Sequence, residues 1–197
     1  MGKDYNSHRR CLRVGHSSGD TELYETCDFK ELNYSQVTEN IFLGAYVKTE
    51  EDLTLLRKNK VTAILSIQTD QDLASHRLTP GYLSELCDEY DIQLITYSIE
   101  DMNKKDFLEK WTGAVILLRN LLRFGNKVYV HCSAGVYRSP QIVALYLMLV
   151  NHISPSEAID FVKKKHPYAR PSQNLINSAL ETMTKRQAHL QPQPHHI

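Results

Sequence analysis

The chain carries no surplus of charge: 23 Lys and Arg balance 23 Asp and Glu over 197 residues. A protein held to nucleic acid mainly through backbone phosphates needs a basic excess, so this balance argues against that class. No apolar run approaches the length of a membrane span, and no N-terminal stretch reads as a secretory signal, so stable membrane insertion is not expected. Met1-Gly2 begins like a myristoylation site, but that pattern asks for Ser or Thr at position six, where Asn6 stands. Cysteine is scarce as well. Cys11, Cys27, Cys87 and Cys132 have no regular spacing, which excludes a disulfide scaffold. With 42% hydrophobic and 23% charged residues, the composition is that of one ordinary globular domain with a core of its own.

What is there is a nine-residue block, His131-Cys-Ser-Ala-Gly-Val-Tyr-Arg-Ser139. It follows an apolar β-branched run (Val128, Val130) and precedes a helical one (Gln141 to Val150). Five residues between Cys132 and Arg138 suit a loop whose backbone N–H groups turn inward on one tetrahedral oxyanion. Ser133, Ala134, Gly135, Val136 and Tyr137 would then line the phosphate, at a helix N-terminus where free donors and the macrodipole favour negative charge. The same field favours a thiolate at Cys132, and Arg138 adds a planar two-pronged donor that lysine cannot imitate. Spacing alone is weak support. The other three cysteines are followed six positions later by Ser17, Asn33 and Gln93, so only the strand–loop–helix setting singles out Cys132.

A phosphate ester hydrolysed at such a site needs its leaving oxygen protonated. Three carboxylates follow the predicted Ile92–Ser98 strand: Glu100, Asp101 and Asp106, of which Asp106 is expected to cap the next helix. Ser139 is placed to donate a hydrogen bond to the cysteine sulfur, and His131 to bond backbone beside the loop. Cys87 is expected as a buried helix cysteine, with a resolving thiol for Cys132 as the alternative. A catalytic thiolate requires reducing surroundings, so cytoplasm or nucleus is expected. No metal or other cofactor is called for, because Arg138 and backbone amides already neutralise the phosphate.

The block resembles the His-Cys-x5-Arg-Ser/Thr signature of cysteine-dependent phosphatases, most closely that of the dual-specificity branch, and the likeness runs from about Asn33 to Met183 through Val37-Thr-Glu-Asn-Ile-Phe-Leu-Gly44. The resemblance implies attack by the thiolate on phosphorus, protonation of the leaving group by Asp101, and hydrolysis of a phosphocysteine. It implies a phosphorylated protein as substrate. A second likeness, through Asn33-Tyr-Ser-Gln-Val-Thr38, Ile67-Gln-Thr-Asp-Gln-Asp72 and Cys132-x-Ala-Gly135, is to laforin and plant starch phosphatases, although Tyr137 stands where their pattern has glycine. A third, through Glu100-Asp-Met102 and Arg170-Pro-Ser-Gln173, is to the mitochondrial phosphatidylglycerophosphate phosphatase. A pseudophosphatase that binds phosphoproteins without turnover is a further alternative.

Strands alternating with helices predict an α/β domain, with a mixed, mostly parallel sheet of about five strands flanked by helices. Thr49 with Asp52, Pro80, and Ser154-Pro155-x-Glu157 mark helix starts, and Phe107, Trp111, Ala114, Val115, Leu118, Leu121 and Leu122 recur at helical spacing. The expected division is a flexible arm over residues 1–32, the phosphatase domain over 33–185, and a disordered tail over 186–197.

Overall fold

Three short runs of alternating apolar contacts build the middle of the molecule. In the strands β4 (Ile41–Gly44), β5 (Ala63–Ser66) and β7 (Val128–His131) every residue is buried. Burial on both faces demands such continuous apolar runs and suits parallel pairing. Successive side chains point to opposite faces. Ile41, Leu43, Ala63, Leu65, Val128 and Val130 accordingly enter one core, and Phe42, Ile64 and Tyr129 another.

The computed structural model describes residues 31–190, with side chains as far as residue 185, together with two short strands, β1 (Cys11–Arg13) and β2 (Glu25–Cys27), paired antiparallel. The predicted arm over 1–32 and the end of the predicted tail lie largely outside the described residues. The main sheet has the order β3-β4-β7-β5-β6, with β3 (Tyr34–Gln36) antiparallel on one edge and β6 (Gln93–Thr96) parallel on the other. Five strands, four of them parallel, agree with the expected class. The three-residue β3 was not anticipated; an element that short leaves no periodicity to read.

Helices α1 (Glu50–Lys58), α2 (Asp70–Ser75) and α3 (Pro80–Glu89) contribute Leu53, Leu56, Leu73, Leu83 and Leu86 to the second core. Those of α4 (Lys104–Arg123), α5 (Arg138–Asn151), α6 (Pro155–Lys165) and α7 (Gln173–Leu190) supply the first, with Trp111 fully buried in it. Helix α7 runs five residues past its expected end at Lys185.

Thr49 and Ser154 form the capping boxes that their sequences predicted. Two starts differ. Asn103, not Asp106, caps α4: its side chain accepts from the Asp106 N–H at 3.0 Å, while the Asp106 carboxylate turns back to the Glu100 N–H at 2.7 Å. The second difference is α2, absent from the sequence reading although Thr69 and Asp72 form a full capping box there.

Strand β7 is the middle of the five, with β4 and β5 paired to it in parallel. Its carboxyl end is His131, so the loop over 132–137 opens above the centre of the sheet, where ligands of open α/β sheets bind.

Candidate active site

The loop from Cys132 to Tyr137 is shaped by one glycine. Gly135 has φ +72°, and a Cβ there would stand 2.4 Å from the Gly44 carbonyl carbon. Both conformation and space therefore require glycine. Backbone ties hold the rest: Tyr46 N–H donates to the Ser133 carbonyl (3.1 Å) and Arg170 N–H to that of Val136 (2.7 Å). Behind the loop, the Gln141 side-chain amide donates to the Ser172 carbonyl (2.9 Å) and accepts from its N–H (2.7 Å).

The loop ends at the start of α5. Tyr137 occupies the N-cap position and makes no side-chain capping bond, whereas Thr49, Thr69, Thr79, Asn103 and Ser154 cap their helices. The first N–H groups of α5 thus lack the usual side-chain acceptor, which is what a bound anion supplies. Cys132 is 3% exposed, and the Ser139 hydroxyl donates to its sulfur over 3.2 Å, as expected.

Arg138 is almost buried, and its guanidinium is nearly saturated. Nη1 donates to Asp72 Oδ2 (2.7 Å) and the Ile99 carbonyl (3.0 Å). Nη2 donates to Asp72 Oδ1 (3.0 Å) and Ser133 Oγ (3.2 Å). Nε lies 3.1 Å from Asp101 Oδ1, an ion-pair distance, without completing a hydrogen bond. Burial disfavours the cation, but the bonds it donates to Asp72 and the charges of Cys132, Asp101 and Asp72 outweigh it and hold the guanidinium above its ordinary range.

Asp72 is the site residue that the sequence reading missed. Burial alone would raise its carboxyl; the Arg138 bonds and the Thr69 N–H, backed by the Arg138 charge, bring it down to about 2. Its signal was present in the chain, since Thr69-x-x-Asp72 is the capping pattern recognised at Thr49 and Asp52.

Among the three candidate acids, Glu100 accepts from the Asn103 side chain, Asp106 is engaged with Lys110 and the Glu100 N–H, and Asp101 faces Arg138 with 46% of its side chain exposed. His131 is fully buried, its Nδ1 donating to the Cys132 carbonyl at 3.1 Å. Burial first, with the Arg138 charge adding to it, outweighs that bond and lowers its pKa to about 4, so the ring is neutral near pH 7. Cys87 lies in the second core, across the sheet from the cluster that holds Cys132, and burial pushes its thiol up to about 12. That position agrees with the expectation of a buried helix cysteine. Among the described residues, no group of three or more His, Cys, Asp or Glu is placed to hold a metal, and no helix is long and apolar enough to cross a membrane.

A central parallel strand, an anion-ready loop, a cysteine and an arginine at the loop's two ends define the class of cysteine-type phosphatase folds. The model for "Dual specificity phosphatase, catalytic domain" matches residues 41–185, and the chain belongs to that family. It is similar to the phosphoglucan phosphatase LSF1 of Arabidopsis thaliana (31% identical, covering 68% of this chain and 23% of the relative). It is also similar to human dual specificity protein phosphatase 1 (31%, covering 85% and 40%). The chain thus spans less than half the length of each of these two relatives. The solved structure of PTPMT1 in complex with PI(5)P shares the fold, with a TM-score of 0.65 at 22% identity, covering 81% of this chain and 99% of that one.

Proposed function

We propose that this phosphatase hydrolyses phosphate monoesters of phosphoproteins, on tyrosine and on serine or threonine, through a phosphocysteine intermediate. The observation that carries the reading is the Cys132–Ser139–Arg138 cluster at the uncapped start of α5. The Cys132 thiolate attacks phosphorus as the P–O bond to the leaving group breaks, and the Asp101 carboxyl gives its proton to the departing oxygen. Water then attacks phosphorus, and the S–P bond breaks as the new O–P bond forms. Asp101 takes the water's proton, inorganic phosphate leaves, and the electron pair returns to sulfur, where the Ser139 hydroxyl stabilises it. Arg138 and the α5 N–H groups stabilise the phosphoryl charge throughout.

Uncharged loop side chains (Ala134, Val136, Tyr137) support a single phosphomonoester over a polyphosphorylated head group. The test is turnover of a generic aryl phosphate by wild type, Cys132→Ser and Asp101→Ala, with acid-quench trapping of phosphate on Cys132. Turnover that survives loss of the thiol would refute the mechanism, and phosphopeptide retention without turnover would favour a binding module. Phosphotyrosine and phosphothreonine peptides are then compared with phosphorylated amylopectin and phosphatidylglycerophosphate. Release from glucan or lipid alone would replace the substrate and leave the chemistry intact. A chelator is expected to change nothing, and the proposed place of action is the cytoplasm or nucleus.

A further inference from the structure

A guanidinium offers five N–H groups in two forks, an end-on pair of Nη atoms and a side-on pair of Nε with one Nη. In Arg138 both forks are in use within the protein. Asp72 takes the end-on fork through both oxygens, and Ile99 O the remaining Nη1–H. The side-on fork is held by two weaker occupants, the half-exposed Asp101 carboxylate at Nε and the Ser133 hydroxyl at Nη2.

We propose that Asp101 is the resident competitor of the substrate for Arg138. In the anion-free site it rests against Nε, and the incoming phosphoryl group displaces it to take Nε–H and the Nη2–H now given to Ser133. Asp72 does not move; it is the positioning residue that keeps the guanidinium aimed while its partners on the other edge exchange. Burial separates the roles. Asp72 is 16% exposed, doubly bonded and also tied to Thr69 and Ser133 Oγ, whereas Asp101 is 46% exposed and makes no completed hydrogen bond to the arginine. Ser133 has alternatives ready, since it already donates to Asp72 Oδ1 (3.2 Å) and accepts from the buried Gln68 Nε2 (3.1 Å), whose Oε1 has no partner. Once displaced, the Asp101 carboxylate loses its cationic partner and takes a proton from water, which makes it the carboxylic acid that the proposed reaction uses. One contact therefore couples phosphate arrival to release of the acid.

The inference rests on the phosphatase reading, but its test does not need turnover. Orthotungstate is titrated calorimetrically into wild type and three variants. Asp101→Asn is expected to bind about threefold tighter, as removal of a partly exposed ion-pair competitor allows. Glu100→Gln, a neighbouring carboxylate that does not touch Arg138, stays within about twofold of wild type. Asp72→Asn binds at least about tenfold weaker, although a negative charge has been removed, because the guanidinium loses its anchor.

Unchanged or weaker binding by Asp101→Asn overturns the proposal, and so does equal tightening by Glu100→Gln. Unchanged or tighter binding by Asp72→Asn removes Asp72 from it. Should Asp72→Asn not fold, nitrogen–proton spectra of wild type decide the same point. Tungstate should shift the Arg138 Nε–H signal and leave the Nη signals bonded to Asp72 in place; movement of the Nη set alone sinks the idea. Wild type that binds tungstate as described yet turns over no phosphoester leaves this inference standing and removes the proposed function.

Discussion

Gly135 and Gly44 meet backbone to backbone: a methyl group on the first would come within 2.5 Å of the carbonyl oxygen of the second. Gly44 is equally confined, since a Cβ there would stand 2.3 Å from the Asn33 carbonyl oxygen. Gly135→Ala forces both a steric shift and a left-handed backbone on a residue with a Cβ. Such strain costs on the order of 1–3 kcal/mol, and it falls on the loop proposed to hold the phosphate. Loss of at least about a hundredfold in kcat/KM is expected, with a fall of several degrees in Tm. A variant as active as wild type would mean that the loop adapts freely.

Ser139 donates to the sulfur that must leave in the second half of the proposed reaction. Ser139→Ala is expected to slow phosphocysteine hydrolysis more than its formation. Rapid-quench kinetics should show a retained burst with a steady state slowed about tenfold to a hundredfold. Equal loss in both phases assigns the hydroxyl to folding of the loop alone.

Two buried histidines make stability depend on pH. Burial lowers both His131 and His166 to about 4 from an ordinary 6.5, against a weaker upward pull from the backbone of Cys132 and Gly135 respectively. Between these values the unfolded chain binds more protons than the folded one, so stability is full above about pH 6.5 and is lost as pH falls toward 4. Each ring contributes on the order of 3 kcal/mol across that window. Asp72 adds a second, more acidic loss, from its ordinary 3.8 down to about 2, as its carboxylate protonates. Urea midpoints measured from pH 7.5 to 4.5 should fall steadily, and His166→Asn should flatten the slope. A midpoint constant over that range rules out this origin.

The Cys87 thiol is fully buried and pushed up to about 12, chiefly by desolvation and further by the Asp88 charge. Iodoacetamide at pH 7.5 should leave the Cys87 peptide unmodified in folded protein and modify it in urea, read by peptide mass mapping. Fast labelling in the native state would show that α3 opens.

Much of this was legible beforehand, for identifiable reasons. Capping boxes are local chemistry, so Thr49 and Ser154 announced their helices. The long apolar stripe of α4 favours Trp111 as a core residue, and it is fully buried. Cys132, Arg138 and Ser139 share one loop and helix start, so adjacency in the chain became adjacency in space. Asp72 does not share it. Sixty-six residues separate it from Arg138, and only the parallel pairing of β5 with β7 brings their carboxyl ends side by side. The six-residue α2 is too short to show a helical period, which hid the residue despite its capping signature. Asp106 was mistaken for the cap of α4 because Asn103 and Asp106 both have capping side chains.

The segment between α6 and α7 is part of the site's back wall. Arg170 N–H grips Val136, and Gln141 clasps Ser172 at both ends of its amide. Cutting the chain shortly after α5 would therefore not yield a smaller catalyst. It would release the loop from the scaffold that fixes its curvature, and the shortest working fragment is set by those clasps, some thirty residues beyond the signature itself.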